Sequence, residues 1–127
     1  MIELELDDLL HIAHRVLDEA QVRDVGLLEA AVARPRTSVG GVDAYPTLHL
    51  KAAALVHSVV RNHALVDGNK RLGLGAVLVF YRVNGRRLTM SEDEAHDFIV
   101  AIASGELDDV GQIAEILKSR TRPVRRR

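Results

Sequence analysis

The chain has 127 residues, of which 47% are hydrophobic and 28% are charged, so its length and composition fit one domain with its own core. It contains no cysteine, which excludes thiol catalysis, cysteine metal sites and disulfide bonds. The longest apolar run, residues 72–81, is too short to span a bilayer, and the acidic N-terminus does not resemble the basic start of a secretory signal. We therefore predict a cytoplasmic protein with no membrane partner.

The net charge of -1 conceals an uneven distribution of charge. Five of the 17 basic residues lie in residues 120–127, and without them 12 basic residues face 18 acidic ones. This acidic body argues against nucleic-acid binding by the folded domain. We predict a single domain over residues 1–120 and a basic, disordered tail over residues 121–127.

Helical periodicity extends over most of the chain. Apolar residues recur at helical spacing over residues 7–20, and Asp24 suits the N-cap of a second helix over residues 25–33. Prolines and glycines in residues 34–46 predict a loop or a short hairpin. Thr47 suits the cap of a long helix that ends near residue 62, and the alanines and valines of this helix predict close packing against a neighbour.

That neighbour is predicted to be the next helix, residues 69–84, which is apolar almost all round and is therefore expected at the centre of the bundle. Asn84 and Gly85 form its C-terminal stop, and residues 87–89 could form a short strand. Ser91 and Glu94 form a capping box for a helix to about residue 103, and a last helix covers residues 108–118. The sequence thus predicts an all-α fold, a compact bundle of about six helices around a buried central helix, with a short hairpin or loop.

The chemically densest segment is residues 61–71, RNHALVDGNKR, between the two long helices. Backbone amides at the start of the second of these helices would point into the segment, which makes it a potential anion site. Because an imidazole can accept and release a proton near neutral pH, His63 is the candidate general base. Asp67 is the only carboxylate between Asp43 and Glu92, and carboxylate oxygen beside phosphate suits Mg²⁺, so we assign the metal to Asp67.

The other polar residues of this segment are predicted to hold a nucleotide triphosphate. Gly68 permits a tight turn and close approach to a ligand, and Asn69 can cap the following helix or bond a phosphate oxygen. Lys70 and Arg71 place two cations at a helix N-terminus, where each is unfavourable by roughly 0.3–1 kcal/mol unless an anion binds. Arg61 could add a further phosphate contact.

The residues given functional roles above also have ordinary structural interpretations. His63 and Asp67 could ligate a transition metal if both lay on one helix, but the glycine and the polar neighbours favour a loop. The two cations could be a solvated helix start, and Gly73 and Gly75 are explained by close packing on the preceding helix. A lone histidine usually acts as a structural hydrogen-bonding partner. We expect this role for the five histidines other than His63, which are His11, His14, His49, His57 and His96.

Residues 63–71, HALVDGNKR, resemble the active-site motif of the Fic/Doc family, HxFx(D/E)GN(G/K)R. Further similarity to the Doc (death on curing) branch extends over roughly residues 5–118 and includes Arg34-Pro35 and Tyr45-Pro46. The resemblance implies the Fic/Doc fold, in which residues 37–45 correspond to a flap that aligns an extended target peptide. Leu65 stands where the family usually has phenylalanine, a core contact that leucine can fill.

Two departures from the AMP-transferring members of the family bear on the chemistry. Lys70 stands at a position where those enzymes have glycine and seat their phosphates, and Leu74 stands where they have a further arginine. Both differences match the Doc branch, whose members are understood to bind ATP in the reverse sense and to transfer its γ-phosphate. The resemblance therefore implies the toxin of a type II module. It would be a protein kinase that uses ATP and Mg²⁺, phosphorylates a Ser or Thr hydroxyl of elongation factor Tu and arrests translation.

By the same resemblance, the catalytic residues are His63, Asp67, Lys70 and Arg71. The residues that bind the phosphates of ATP are Arg61, Gly68, Asn69, Lys70 and Arg71. The resemblance also implies an antitoxin of the Phd type that covers the site. Two alternatives stay open: transfer of AMP or another nucleotide by the same fold, and a noncatalytic binding module that keeps the loop only as structure.

Overall fold

The computed structural model describes residues 1–124, and over this range it forms a helical bundle with two small antiparallel sheets. The helices are α1 Leu6–Val16, α2 Val25–Ala33, α3 Leu48–Asn62, α4 Asn69–Val83, α5 Glu92–Ser104 and α6 Val110–Ser119. The strands are β1 Ser38–Val39, β2 Val42–Asp43, β3 Arg86–Leu88 and β4 Thr121–Pro123, and a 3₁₀ turn covers Arg34–Arg36. The predicted bundle of about six helices with a short hairpin is confirmed.

The centre of the bundle is α3 rather than α4. α3 packs against α2, α4, α5 and α6, and its three consecutive alanines, residues 52–54, are fully buried. These small side chains let neighbouring helices approach α3 from several sides. α4 keeps a partly exposed flank, on which Leu78 is 42% exposed. The prediction that α4 occupies the centre is therefore wrong, although its pairing with α3 is confirmed.

Two glycines allow α4 to pack closely on different helices. A Cβ atom on Gly73 would lie 2.4 Å from Cγ2 of Val60 in α3, in agreement with the predicted close approach. A Cβ atom on Gly75 would instead lie 2.9 Å from Cγ2 of Ile12 in α1, so the prediction for Gly75 named the wrong neighbour. Close backbone approach to α1 and α3 fixes the position of α4 and hence of its N-terminal end.

Most helix ends follow the capping signals of the sequence. The Thr47 hydroxyl accepts a hydrogen bond from the backbone N–H of Leu50, and Ser91 and Glu94 form the predicted capping box at the start of α5. α1 is shorter than predicted and ends at Val16, where the backbone becomes extended at Leu17, and residues 21–24 then pair with the loop between α3 and α4.

The segment predicted as a loop or hairpin forms a hairpin with a two-glycine turn, in which β1 and β2 are antiparallel. Both feet of this hairpin are tied to the body of the protein. The buried ammonium of Lys51 donates to the Pro35 carbonyl at 2.7 Å, and Arg34 donates to the Tyr45 hydroxyl at 3.0 Å. At the tip Val39 is exposed, so the hairpin presents apolar surface on a fixed base.

The chain after α6 is ordered where the sequence predicted a disordered tail. β4 pairs antiparallel with β3, with Arg122 opposite Arg87 and the buried Thr121 opposite Leu88. The prediction for residues 121–127 is therefore wrong over β4, because a pairing with so distant a strand has no local signal, and residues 125–127 lie outside the described residues. The short strand predicted at residues 87–89 is confirmed as β3.

The turn after α4 binds both ends of the described chain. The backbone N–H of Ile2 donates to Oδ1 of Asn84 at 2.7 Å, and the backbone N–H of Val124 donates to the Gly85 carbonyl at 2.8 Å. Within residues 1–124, none of the helices has the length and apolar character of a membrane span.

Candidate active site

His63 ends α3 in a left-handed backbone conformation, with φ 54° and ψ 44°. This conformation costs a residue other than glycine of order 1 kcal/mol or more, so the surrounding structure must hold it. The guanidinium of Arg23 donates to the His63 carbonyl and provides part of that support. The side chain of His63 is exposed. The predicted change from helix to loop at this residue is confirmed, and Arg23 is a contact that the sequence analysis missed.

The first half of the loop is held by the connection between α1 and α2. Residues 21–24 and residues 64–66 form three backbone hydrogen bonds of 2.8–3.0 Å, around a bridge between Val22 and Leu65. The side chains of Ala64 and Leu65 are buried, so this part of the loop belongs to the core. Leu65 thus makes the core contact predicted for it. Packing and backbone pairing therefore fix this first half of the loop.

The side chain of Asn69 is turned back onto the loop. Its Oδ1 accepts from the backbone N–H of Leu65 at 3.0 Å, and its Nδ2 donates to the Leu65 carbonyl at 3.1 Å. Because Oδ1 accepts from Leu65 and not from an N–H of α4, the prediction that this side chain caps α4 is wrong. Nδ2 has a second N–H and Asn69 lines the cleft described below, so its contact with phosphate stays a prediction. Asn69 instead closes the loop across residues 65–69.

Gly68 is the N-cap of α4 and has φ 91°, so the predicted need for glycine is confirmed. Its backbone N–H donates to Oδ1 of the exposed Asp67 at 2.8 Å. The first helical hydrogen bond at this end runs from Leu72 N–H to the Gly68 carbonyl. The backbone N–H groups of residues 69–71 therefore lack partners within the helix and form the positive end of its dipole.

A cleft of about 510 Å³ lies in front of this helix end. His63, Asp67, Gly68, Lys70 and Arg71 all line it, so the structure brings these predicted site residues together. Lys70 and Arg71 are exposed, and two cations beside a positive helix end repel each other unless an anion binds. The arrangement therefore suits a polyanionic ligand.

The segment after α1 also lines the cleft and includes Asp18 and Glu19. Neither acid was predicted to belong to the site, because their distance along the chain from residues 63–71 gave no sign of their proximity. The cleft therefore contains the negative charge of these two acids as well as the positive charge of Lys70 and Arg71.

Arg61 points to a different part of the fold. Its guanidinium donates to the carbonyls of Ile102 and Ala103 at 3.4 and 3.3 Å, at the C-terminal end of α5. A guanidinium is stabilised there because the carbonyl end of a helix is negative. The predicted contact between Arg61 and phosphate is therefore replaced by a structural contact that ties α3 to α5.

Two of the remaining histidines have the structural role that we predicted. Nδ1 of His49 lies 2.8 Å from the hydroxyl of the buried Tyr81, and burial lowers the pKa of His49. His57 lies between Arg34 and Asp108, at 2.7 Å from Nη1 of Arg34 and 2.8 Å from Oδ1 of Asp108. The hydrogen bond from His57 lowers the pKa of the Asp108 carboxyl.

The sequence of the chain is similar to those of known proteins, and the similarity includes the loop that forms this site. The sequence matches the Fic/DOC family over residues 3–81, a range that includes the whole loop. Toxin Doc of Mycolicibacterium smegmatis is 52% identical to the chain over 92 residues, which are 71% of this chain and 71% of that protein. Protein kinase doc of Escherichia phage P1 is 33% identical over 95 residues, 75% of this chain and 73% of that protein. The chain therefore belongs to the Fic/Doc family, and within it to the Doc toxins.

Proposed function

We propose that this toxin is a protein kinase that transfers the γ-phosphate of ATP to a Ser or Thr hydroxyl of a protein target. The observation that carries the proposal is the position of Lys70, which lines the same cleft as His63 and Asp67. A lysine here supplies positive charge at a position where AMP-transferring relatives have glycine. The relative from phage P1 that is named a protein kinase supports the same assignment.

In the proposed reaction, His63 acts as the general base. Its exposed imidazole takes the proton of the target hydroxyl as the hydroxyl oxygen attacks the γ-phosphorus. The new O–P bond forms while the bond from the γ-phosphorus to the bridging β–γ oxygen breaks, and ADP leaves. Lys70, Arg71 and the backbone N–H groups of residues 69–71 stabilise the negative charge on the phosphates, which is the main source of catalysis in phosphoryl transfer.

The residues of the cleft fit Mg²⁺ as the metal that accompanies ATP. Asp67 is exposed and lines the cleft, and Mg²⁺ is commonly held by one or two carboxylates together with phosphate oxygens and water. When bound, the ion would neutralise charge on the phosphates. Arg61 enters the proposal as a positioning residue, because its guanidinium is bonded to carbonyls of α5. Asn69 holds the loop and lines the cleft, where the second N–H of Nδ2 would donate to a phosphate oxygen.

The proposed target is elongation factor Tu in the cytoplasm, with arrest of translation as the effect. This target rests on the family resemblance. The hairpin of β1 and β2 would align the target peptide, and its anchored feet and exposed tip are compatible with that role. An antitoxin of the Phd type is the proposed partner that blocks the site.

The decisive experiment compares ATP labelled at the γ-phosphate with ATP labelled at the α-phosphate, incubated with the toxin and elongation factor Tu. A kinase labels the target only from the γ position, whereas label from the α position would show nucleotide transfer and refute the proposal. Mass spectrometry of elongation factor Tu after brief expression would identify the modified residue.

Substitutions separate catalysis from simple binding. We expect His63→Ala and Asp67→Ala to abolish both labelling and growth inhibition, whereas His11→Ala, which removes an exposed imidazole from α1, should leave both intact. Growth inhibition that survives in the two site variants, with folding intact by circular dichroism, would support the noncatalytic binding module instead.

A further inference from the structure

Two short motifs of the sequence take no part in the proposed chemistry, and the structure brings them together. Arg34-Pro35 precedes the β1–β2 hairpin, and Tyr45-Pro46 follows it. The partly buried guanidinium of Arg34 donates through Nε to the Tyr45 hydroxyl at 3.0 Å. It also lies over the Tyr45 ring, with Cζ 5.6 Å from the ring centroid. One side chain therefore joins the two feet of the hairpin.

The same guanidinium is bonded to α3. Its Nη1 donates to the hydroxyl of the buried Ser58 at 3.0 Å and to Nδ1 of His57 at 2.7 Å. Because arginine has only donors, Nδ1 of His57 acts as an acceptor, which leaves the ring proton on Nε2. Nε2 then donates to Oδ1 of Asp108, which lies just before α6, at 2.8 Å. Asp108 thus holds the imidazole in the tautomer that Arg34 requires.

α3 carries these contacts and also ends at the proposed general base. His57 precedes His63 by six residues, which is about 9 Å along the helix axis. Lys51, on the same helix, donates to the Pro35 carbonyl at 2.7 Å. The hairpin is therefore attached to α3 through Arg34 and through Lys51, and α3 sets the spacing between the hairpin and the imidazole of His63.

We propose that Arg34 and Asp108 are positioning residues for the protein target and act through the hairpin rather than on ATP; this inference rests on the proposed function. Arg34 fixes the hairpin, and with it the aligned target peptide, where the target hydroxyl reaches His63. Asp108 acts one step further away, since it is exposed and is not among the described residues that line the cleft. The fork of an arginine is needed, because the single ammonium of a lysine lacks the geometry to bond Tyr45 and His57 together.

The test separates binding of the protein target from binding of ATP. Initial rates of γ-label transfer give kcat and KM for elongation factor Tu, and isothermal titration calorimetry gives the Kd for ATP with Mg²⁺. The variants are Arg34→Ala, Arg34→Lys, Asp108→Ala and Tyr45→Phe, of which the last removes only the hydroxyl that Arg34 bonds. The matched controls are Arg82→Ala and Asp97→Ala, which remove an exposed guanidinium from α4 and an exposed carboxylate from α5.

We expect Arg34→Ala to raise the KM for elongation factor Tu at least about tenfold, and Tyr45→Phe and Asp108→Ala to raise it about threefold each. Arg34→Lys should not restore the wild-type KM. The Kd for ATP should stay within about twofold of wild type in every variant, and both controls should match wild type in both quantities. Because Arg34 acts through the Tyr45 hydroxyl, Tyr45→Phe should add nothing in an Arg34→Ala background.

An unchanged KM for elongation factor Tu in folded Arg34→Ala would overturn the inference. An equal loss of affinity for ATP would also overturn it, because it would show a general structural role, and so would independent effects of Arg34→Ala and Tyr45→Phe. Should Arg34→Ala fail to fold by circular dichroism, the exposed Asp108 decides, and a KM equal to that of Asp97→Ala refutes the inference. Failure of the proposed function looks different, because the wild type itself then transfers no γ-label to elongation factor Tu, and the inference falls with it.

Discussion

The substitution Gly68→Ala tests the account of the turn that starts α4. Gly68 has φ 91°, and an ideal Cβ atom there would lie 2.6 Å from both Cδ atoms of Leu17. Alanine in a left-handed conformation costs about 1–2 kcal/mol. Overpacking adds typically about 1–3 kcal/mol. We therefore expect Gly68→Ala to lower the free energy of unfolding by about 2–5 kcal/mol.

Gly85→Ala is the matched control, because it isolates the cost of the backbone conformation. Gly85 has φ 78°, and a Cβ atom there would meet nothing within 4 Å, so we expect a loss of only about 1–2 kcal/mol. Combining Gly68→Ala with Leu17→Ala removes the clash, so the double variant should be more stable than the sum of the two single effects implies.

Urea denaturation followed by circular dichroism measures these differences, with every variant made in a His63→Ala background so that toxicity does not limit expression. With His63 restored, Gly68→Ala should also reduce labelling of the target, since a shifted turn misaligns the backbone N–H groups of residues 69–71. If Gly68→Ala and Gly85→Ala lose the same free energy of unfolding, Leu17 does not constrain the turn and the reasoning is refuted.

Three further predictions concern other parts of the molecule. Asn69→Ala leaves the backbone N–H and carbonyl of Leu65 without partners, so urea titration should show a loss of about 2 kcal/mol, and unchanged stability would contradict the role of this amide. Burial lowers the pKa of His49, so on acidification the imidazole of the unfolded chain is protonated before that of the folded protein, and the free energy of unfolding should fall as pH drops below about 6.5. In urea titrations at several pH values, His49→Gln should reduce this dependence of the free energy of unfolding on pH. The same dependence in His49→Gln and wild type would argue against the burial effect. Truncation after Arg120 removes β4 and should lower the Tm measured by scanning calorimetry. Deletion of residues 125–127 alone is the control. Equal Tm values for the two truncated proteins would show that the pairing of β3 with β4 contributes nothing to stability.

The helices could be predicted from the sequence because their signals are local. Thr47 and Ser91 accept from backbone N–H groups three residues away, and Gly68 and His63 mark the ends of helices that face the same loop. The density of polar residues in that loop predicted a site there and part of the set of side chains that share a cleft. The side chains of His63, Lys70 and Arg71 do so.

The parts of the site that were missed or wrong depend on contacts between distant residues. Arg23 reaches a carbonyl 40 residues along the chain, and Arg61 reaches two carbonyls at the end of α5. Asn69 had two plausible local roles, but the position of the Leu65 backbone, which is set by pairing with residues 21–24, provided a third. The residue type of Asn69 alone could not show that its side chain bonds the backbone of the loop.

The attachment of both ends of the described chain, at Ile2 and Val124, to Asn84 and Gly85 has a practical use. That turn lies at the opposite end of α4 from the cleft, a separation of about 22 Å for a 15-residue helix. A fluorophore or an affinity handle attached at Ile2 or Val124 would stay outside the reaction space. The neighbouring ends also allow a circular permutant, in which a short linker joins them and the new ends lie at the exposed glycine tip of the β1–β2 hairpin.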